Sequence, residues 1–229
     1  MLKANSSVDL TDCLSKLDIE VPPRSEGRTT EQVERYAFAY LLSTLNERGK
    51  VSFPFSAAQE DRPDFVVKNG TTEIGIEHTE AVSQNEAHKA VLRDRHGDSG
   101  VHFLAHASTS DRRKSAKKLL QEIEADEPSE GWVGDSVEKE WAEVMLHFSE
   151  IKMAKLSSPG FRRFQENWLL IYDNWHLPAV NRSLGSKYLY QHLLDKNLLL
   201  KFNRVFVLSG EKICEFSLDR FNVYKVKEI

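Results

Sequence analysis

A hairpin signature constrains the fold of this chain more than any other feature. Phe65-Val66-Val67 and Ile74-Gly75-Ile76 are two short apolar runs with Asn69-Gly70 between them. Asn and Gly tolerate the positive φ of a tight turn, so the pattern predicts two antiparallel strands. Side chains alternate along a strand. Asp64 and Val66 then share a face opposite Phe65 and Val67. Likewise Glu73, Gly75, Glu77 and Thr79 share a face opposite Ile74, Ile76 and His78. Pairing about the turn sets Asp64 beside Glu77. Two neighbouring carboxylates repel unless one takes up a proton or a cation lies between them. Hard divalent cations prefer oxygen ligands, so the pair predicts a Mg²⁺ or Mn²⁺ site on a sheet. Exposed acids on the solvent face of an edge hairpin are the plainer alternative. Gly75 argues against it, since a glycine inside a strand often marks the close approach of another group.

Pro63-Asp64 at a strand start, followed by Glu77-His78-Thr79 on the next strand, resembles the core motif of the PD-(D/E)xK nuclease superfamily. This is the fold of many restriction endonucleases and archaeal Holliday-junction resolvases. The resemblance implies an α/β, restriction-endonuclease-like domain, a mixed central sheet flanked by helices with an αβββαβ core. It also implies a metal-dependent phosphodiesterase acting on DNA or RNA, with Mg²⁺ or Mn²⁺ held by Asp64, Glu77 and the backbone carbonyl of His78. The departure is Thr79, which stands where the motif carries its catalytic lysine.

Two predicted helices bear on such a site. In the first, Glu34, Phe38, Leu41 and Leu45 recur at helical spacing, so Glu34 lies on the apolar stripe. The superfamily often takes an extra acidic ligand or water-binding residue from its first helix. The resemblance makes Glu34 the candidate, with Glu31 in reserve; an ion pair with Arg35 or Arg48 is the ordinary alternative. In the long helix, Trp141, Met145, Phe148, Lys152 and Lys155 follow the same periodicity, so two lysines continue an aromatic stripe. Either ammonium could reach Asp64 and Glu77 and supply the charge that Thr79 lacks. Alternatively, both stems bury and their heads reach water at the helix end.

The order of elements agrees with the core. A helix from Thr30 to about Arg48 opens at capping-box spacing (Thr29, Gln32). A strand over 51–55 and the hairpin follow, then a mainly helical insertion over about 81–134. Next come a helix from Asp135 or Ser136 to about Leu156, a strand over 168–173, a helix over 185–196 and a strand over 205–208. Late strands are expected over 213–216 and 221–226. Residues 1–27 are polar and predict an N-terminal arm, which leaves 28–229 as a single domain.

Charge narrows the partners. The 229 residues carry a net charge of −4, which is not the footprint of a dedicated DNA-binding protein. Residues 88–118, however, hold eight Lys and Arg against three Asp. Arg112, Arg113, Lys114, Lys117 and Lys118 could track a phosphate backbone; a solvated helix face is the equal alternative. His102 and His106 have the spacing of a zinc-binding helix but no third ligand is apparent. No P-loop, dinucleotide fingerprint or Gly-x-Ser-x-Gly elbow is present. No apolar run approaches the roughly 18 residues of a membrane span, and Met1–Ser6 lack the apolar core of a signal peptide. The distant Cys13 and Cys214 make no disulfide framework. A cytoplasmic setting is expected, with nucleic acid as partner, no membrane, and a homodimer allowed. Two other functions fit the same residues: a catalytically lapsed nuclease-fold module that binds nucleic acid or a protein, and an acidic interaction domain with no nucleic-acid role.

Overall fold

The computed structural model describes residues 1–156, 158 and 162–229. The chain builds an eight-stranded sheet whose strands lie side by side in sequence order. They are β1 (Leu2–Ala4), β2 (Phe55–Gln59), β3 (Phe65–Asn69), β4 (Thr72–Ala81), β5 (Glu166–Asp173), β6 (Arg204–Ser209), β7 (Lys212–Phe216) and β8 (Phe221–Lys225). The sheet is mixed. β1 to β4 form an antiparallel meander, β4, β5 and β6 are parallel, and β6 to β8 are antiparallel again. The helices are α1 (Ser7–Ser15), α2 (Thr30–Glu47), α3 (Gln84–Arg95), α4 (Ala116–Ala125), α5 (Ser136–Leu156) and α6 (Arg182–Asp195).

Each face of the sheet has its own core. Phe65, Val67, Ile74, Ile76, Trp168, Leu170 and Phe206 pack against Leu10 and Leu14 of α1 and Phe38, Leu41, Leu42 and Leu45 of α2. Leu169, Ile171, Val205 and Val207 pack on the opposite face against Trp141, Val144 and Met145 of α5 and Leu189 and Leu193 of α6. Because β5 is covered on both faces, Trp168 to Ile171 is continuously apolar. The parallel links β4–α5–β5 and β5–α6–β6 are crossovers. Successive crossovers of one hand, moving one way across a sheet, put their helices on one face, as α5 and α6 are.

The expected helix at Thr30 is present with its capping box. Thr29 Oγ1 accepts from Gln32 N–H and Gln32 Oε1 accepts from Thr29 N–H. The hairpin is present too, with its turn one residue later than the Asn-Gly pair suggests. Asn69 pairs with Thr72, and Gly70-Thr71 form the turn with Gly70 at φ 62°. The strand expected over 51–55 instead runs from Phe55 to Gln59. Residues 1–27 are not a free arm. β1 extends the sheet beside β2, and Leu10 and Leu14 of α1 are buried. A three-residue strand and a nine-residue helix are too short to show periodicity, and the polar residues around them dominate the composition. The 81–134 region contains α3 and α4, which pack on each other. α3 also packs on a 3₁₀ turn at Arg24–Glu26.

Candidate active site

β4 outruns its neighbour. The last β3–β4 pair is Phe65 with Ile76, whereas β4 continues beside β5 as far as Ala81. Residues 77–81 therefore have an open edge on the β3 side. Asp64, one residue before β3, closes the start of that edge: its Oδ2 accepts the His78 backbone N–H. In an extended strand a residue's carbonyl faces the same side as its N–H, so the His78 carbonyl turns to the open edge as well.

The β3–β4 register carried one step further sets Asp64 opposite Glu77, as the alternation predicts. The charge between them comes from α5. Lys152 Nζ donates to Glu77 Oε2 at 2.7 Å and to Asp64 Oδ2 at 3.3 Å. Lys152 is only 7% exposed and Glu77 6%. An ammonium buried on an aromatic stripe needs such partners, since an unpaired charge in that setting is very costly. Glu77 and Thr79 point to the α5 face of β4, so the helix supplies a lysine to the side of the sheet where the motif residue is Thr79. Of the two ways to place these lysines, Lys152 follows the first. Lys155, one turn on, is exposed and lines the cavity.

That cavity has a volume of about 430 Å³ and is walled by β4, α2, α5 and the segment before α2. Glu34 and Asp64 both line it, together with His78, Thr79 and Lys152; Glu77 joins it through Lys152. Glu34 is buried and accepts from Gln59 Nε2 at 2.9 Å. Burial pushes its carboxyl up to about 7, the Gln59 hydrogen bond opposing and the nearby Asp64 charge adding. Glu34 shares the cavity with Asp64. His78 is buried on the α2 face. Burial, with the Lys152 charge, holds its imidazole down at about 3, so it stays neutral, and its Nε2 has no partner among the described residues.

Asp64 Oδ1 and Glu77 Oε1 make no hydrogen bond among the described residues. Asp64 and His78 line the cavity, and Glu77 is tied to Asp64 through Lys152. Among the described residues no three His, Cys, Asp or Glu side chains form a metal cage. A cation here would take two carboxylates and complete its shell with backbone oxygen and water, a common arrangement for Mg²⁺.

The expected basic stretch is elsewhere. Arg112, Arg113, Lys114, Lys117 and Lys118 do not line the cavity. Lys114 is paired with Glu122 at 2.7 Å, and the other four are exposed. Besides Lys152 and Lys155, the structure brings Arg24 and Arg28 to the cavity, both bonded to Glu80. Nothing in the local sequence marks them, because they sit in irregular chain far from the motif. His102 and His106 share no partner among the described residues: His102 lies by Asp98 and Asp126, and His106 by Glu140.

Comparison of the chain with protein-family models, curated proteins and solved structures gives no match.

Proposed function

We propose that the chain is a metal-dependent phosphodiesterase acting on DNA or RNA, with a restriction-endonuclease-like core. The observation that carries the reading is Lys152 bonded to both Asp64 and Glu77. That set has the charges of the PD-(D/E)xK motif, with the lysine donated by α5 in place of Thr79. The order α2–β2–β3–β4–α5–β5 supports it, being αβββαβ with α3 and α4 inserted. Fold alone does not give function, so the weight rests on the side chains.

Asp64, Glu77 and the His78 carbonyl would hold Mg²⁺ or Mn²⁺. When bound, such an ion acidifies water and neutralises charge on the transferring phosphoryl group. Asp64 keeps its place by accepting the His78 N–H. The Lys152 ammonium, anchored by two carboxylates, orients the attacking water and balances the negative charge that builds as the P–O ester bond breaks. Thr79 stays a wall residue. Glu34 adds a carboxyl on the α2 side.

The test is hydrolysis of plasmid, single-stranded DNA and RNA in Mg²⁺, Mn²⁺ or EDTA by the protein and by Asp64→Ala and Glu77→Ala. Cleavage that requires metal and vanishes in both variants is the expected result. Metal-dependent cleavage that persists in both would refute the assignment.

A further inference from the structure

One wall of the cavity has no part in the two-carboxylate chemistry. Arg24 Nη2 and Arg28 Nη2 both donate to a single oxygen, Glu80 Oε1, at 2.6 and 2.5 Å, and Asn174 Nδ2 donates to it at 2.6 Å. A guanidinium carries five N–H donors. Neither arginine side chain has another partner among the described residues, although they are only 26% and 13% exposed. Both line the cavity beside Thr29 and Thr30, where α2 begins, and opposite Lys155. The result is an excess of aimed donors over acceptors.

The local charge is specific. At this wall two guanidiniums against one carboxylate leave a single positive charge, and Lys155, with no ion pair among the described residues, adds a second; the same cavity also carries Asp64 and Glu34, with Lys152 as the counter-charge on their side. The start of α2 adds a partial positive charge. The anion that matches is a phosphate monoester. It carries close to two negative charges at neutral pH and has three strong acceptor oxygens, whereas a diester carries one charge and has two free oxygens. The cavity volume of about 430 Å³ leaves room for a nucleotide-sized group.

We propose that Arg24, Arg28 and Lys155 form a subsite for the terminal phosphate of a nucleic-acid strand, next to Asp64, Glu77 and Lys152. The strand end rests on the nuclease reading above; the phosphate chemistry does not. Glu80 orients the two guanidiniums and keeps them paired when no ligand is present.

The experiment is equilibrium binding in EDTA, where no cleavage interferes. The probes are a short labelled single strand with a 5′-phosphate, the same strand with a 3′-phosphate, and the strand with hydroxyls at both ends. One phosphorylated strand is expected to bind about tenfold or more tighter than the hydroxyl-ended one, the scale of charge-assisted hydrogen bonds. Which one does so identifies the end that is held. Arg28→Gln and Lys155→Ala should each reduce that preference and leave the affinity for the hydroxyl-ended strand nearly unchanged. Lys155 is exposed, so its variant keeps the test valid if Arg28→Gln does not fold. Equal affinity for all three strands, no binding of any, or a preference untouched in both variants would overturn the proposal. A preference without cleavage in metal would leave the subsite standing and remove the nuclease reading. Cleavage without a preference would do the reverse.

Discussion

Replacing Lys152 by methionine, Lys152→Met, keeps the length of the side chain and removes the charge that holds two acids together. Lys152 is 7% exposed and its ammonium bonds Glu77 at 2.7 Å and Asp64 at 3.3 Å, so its loss leaves two nearby carboxylates with no counter-charge. Removing one partner of a buried ion pair typically costs about 3–5 kcal/mol. Asp64 at 15% side-chain exposure keeps some contact with water through the cavity, which places the cost near the lower end, at about 3 kcal/mol. With a urea m-value toward the upper end of about 1–3 kcal/mol/M, the unfolding midpoint falls by about 1 M. Mg²⁺ should raise the midpoint of the variant more than that of the parent if the two acids hold the ion, since a ligand of the folded state stabilises by mass action. Urea unfolding at neutral pH, with and without Mg²⁺, measures both effects. A variant as stable as the parent would refute the three-residue coupling.

Glu34 predicts a pH slope. Its carboxyl is raised to about 7 by burial, so the unfolded state releases the proton first as pH rises. Stability attached to the neutral form is complete below the ordinary carboxylate range and is lost as pH climbs through about 7. Glu34→Gln should flatten this slope in urea titrations at several pH values; an unchanged slope would place the titration elsewhere. A methyl group at Gly75 would lie 2.5 Å from a Phe164 ring carbon, so Gly75→Ala should destabilise by about 1–3 kcal/mol in thermal unfolding, and a neutral result would show that Phe164 moves aside freely. Leu10 is fully buried under the sheet. Leu10→Ala should cost about 2–5 kcal/mol, whereas a free N-terminal arm would make it silent.

Much of the site could be read from periodicity. A strand repeat of two residues and a two-residue turn place Asp64 against Glu77, and a helical repeat places Lys152 on the face that looks at them. Gly75 was a sound sign of close approach, and Phe164 is what approaches. These are short-range regularities, carried by residues within one hairpin or one helix. Arg24 and Arg28 were not legible, because only the tertiary path of irregular chain brings them to Glu80. The same holds for β1, whose three residues gain strand geometry only from the partner β2. β2 itself, Phe-Ser-Ala-Ala-Gln, has one large apolar residue, so the more apolar residues before it drew the predicted strand too early. The basic run from Arg112 to Lys118 is a different case, since it stands away from the cavity. Charge density along the sequence located cations but not where they stand, and Lys114 is already paired with Glu122.

Lys152 is proposed to complete a phosphodiesterase site from a helix. The most direct measurement is the rate of Mg²⁺-dependent strand cleavage by the parent and by Lys152→Met, at a temperature where both are folded. Cleavage by the parent is expected, with a loss of about a hundredfold or more in the variant, the scale of a positioned acid–base group. Equal rates, or no cleavage of DNA or RNA by the parent in any metal, would contradict it.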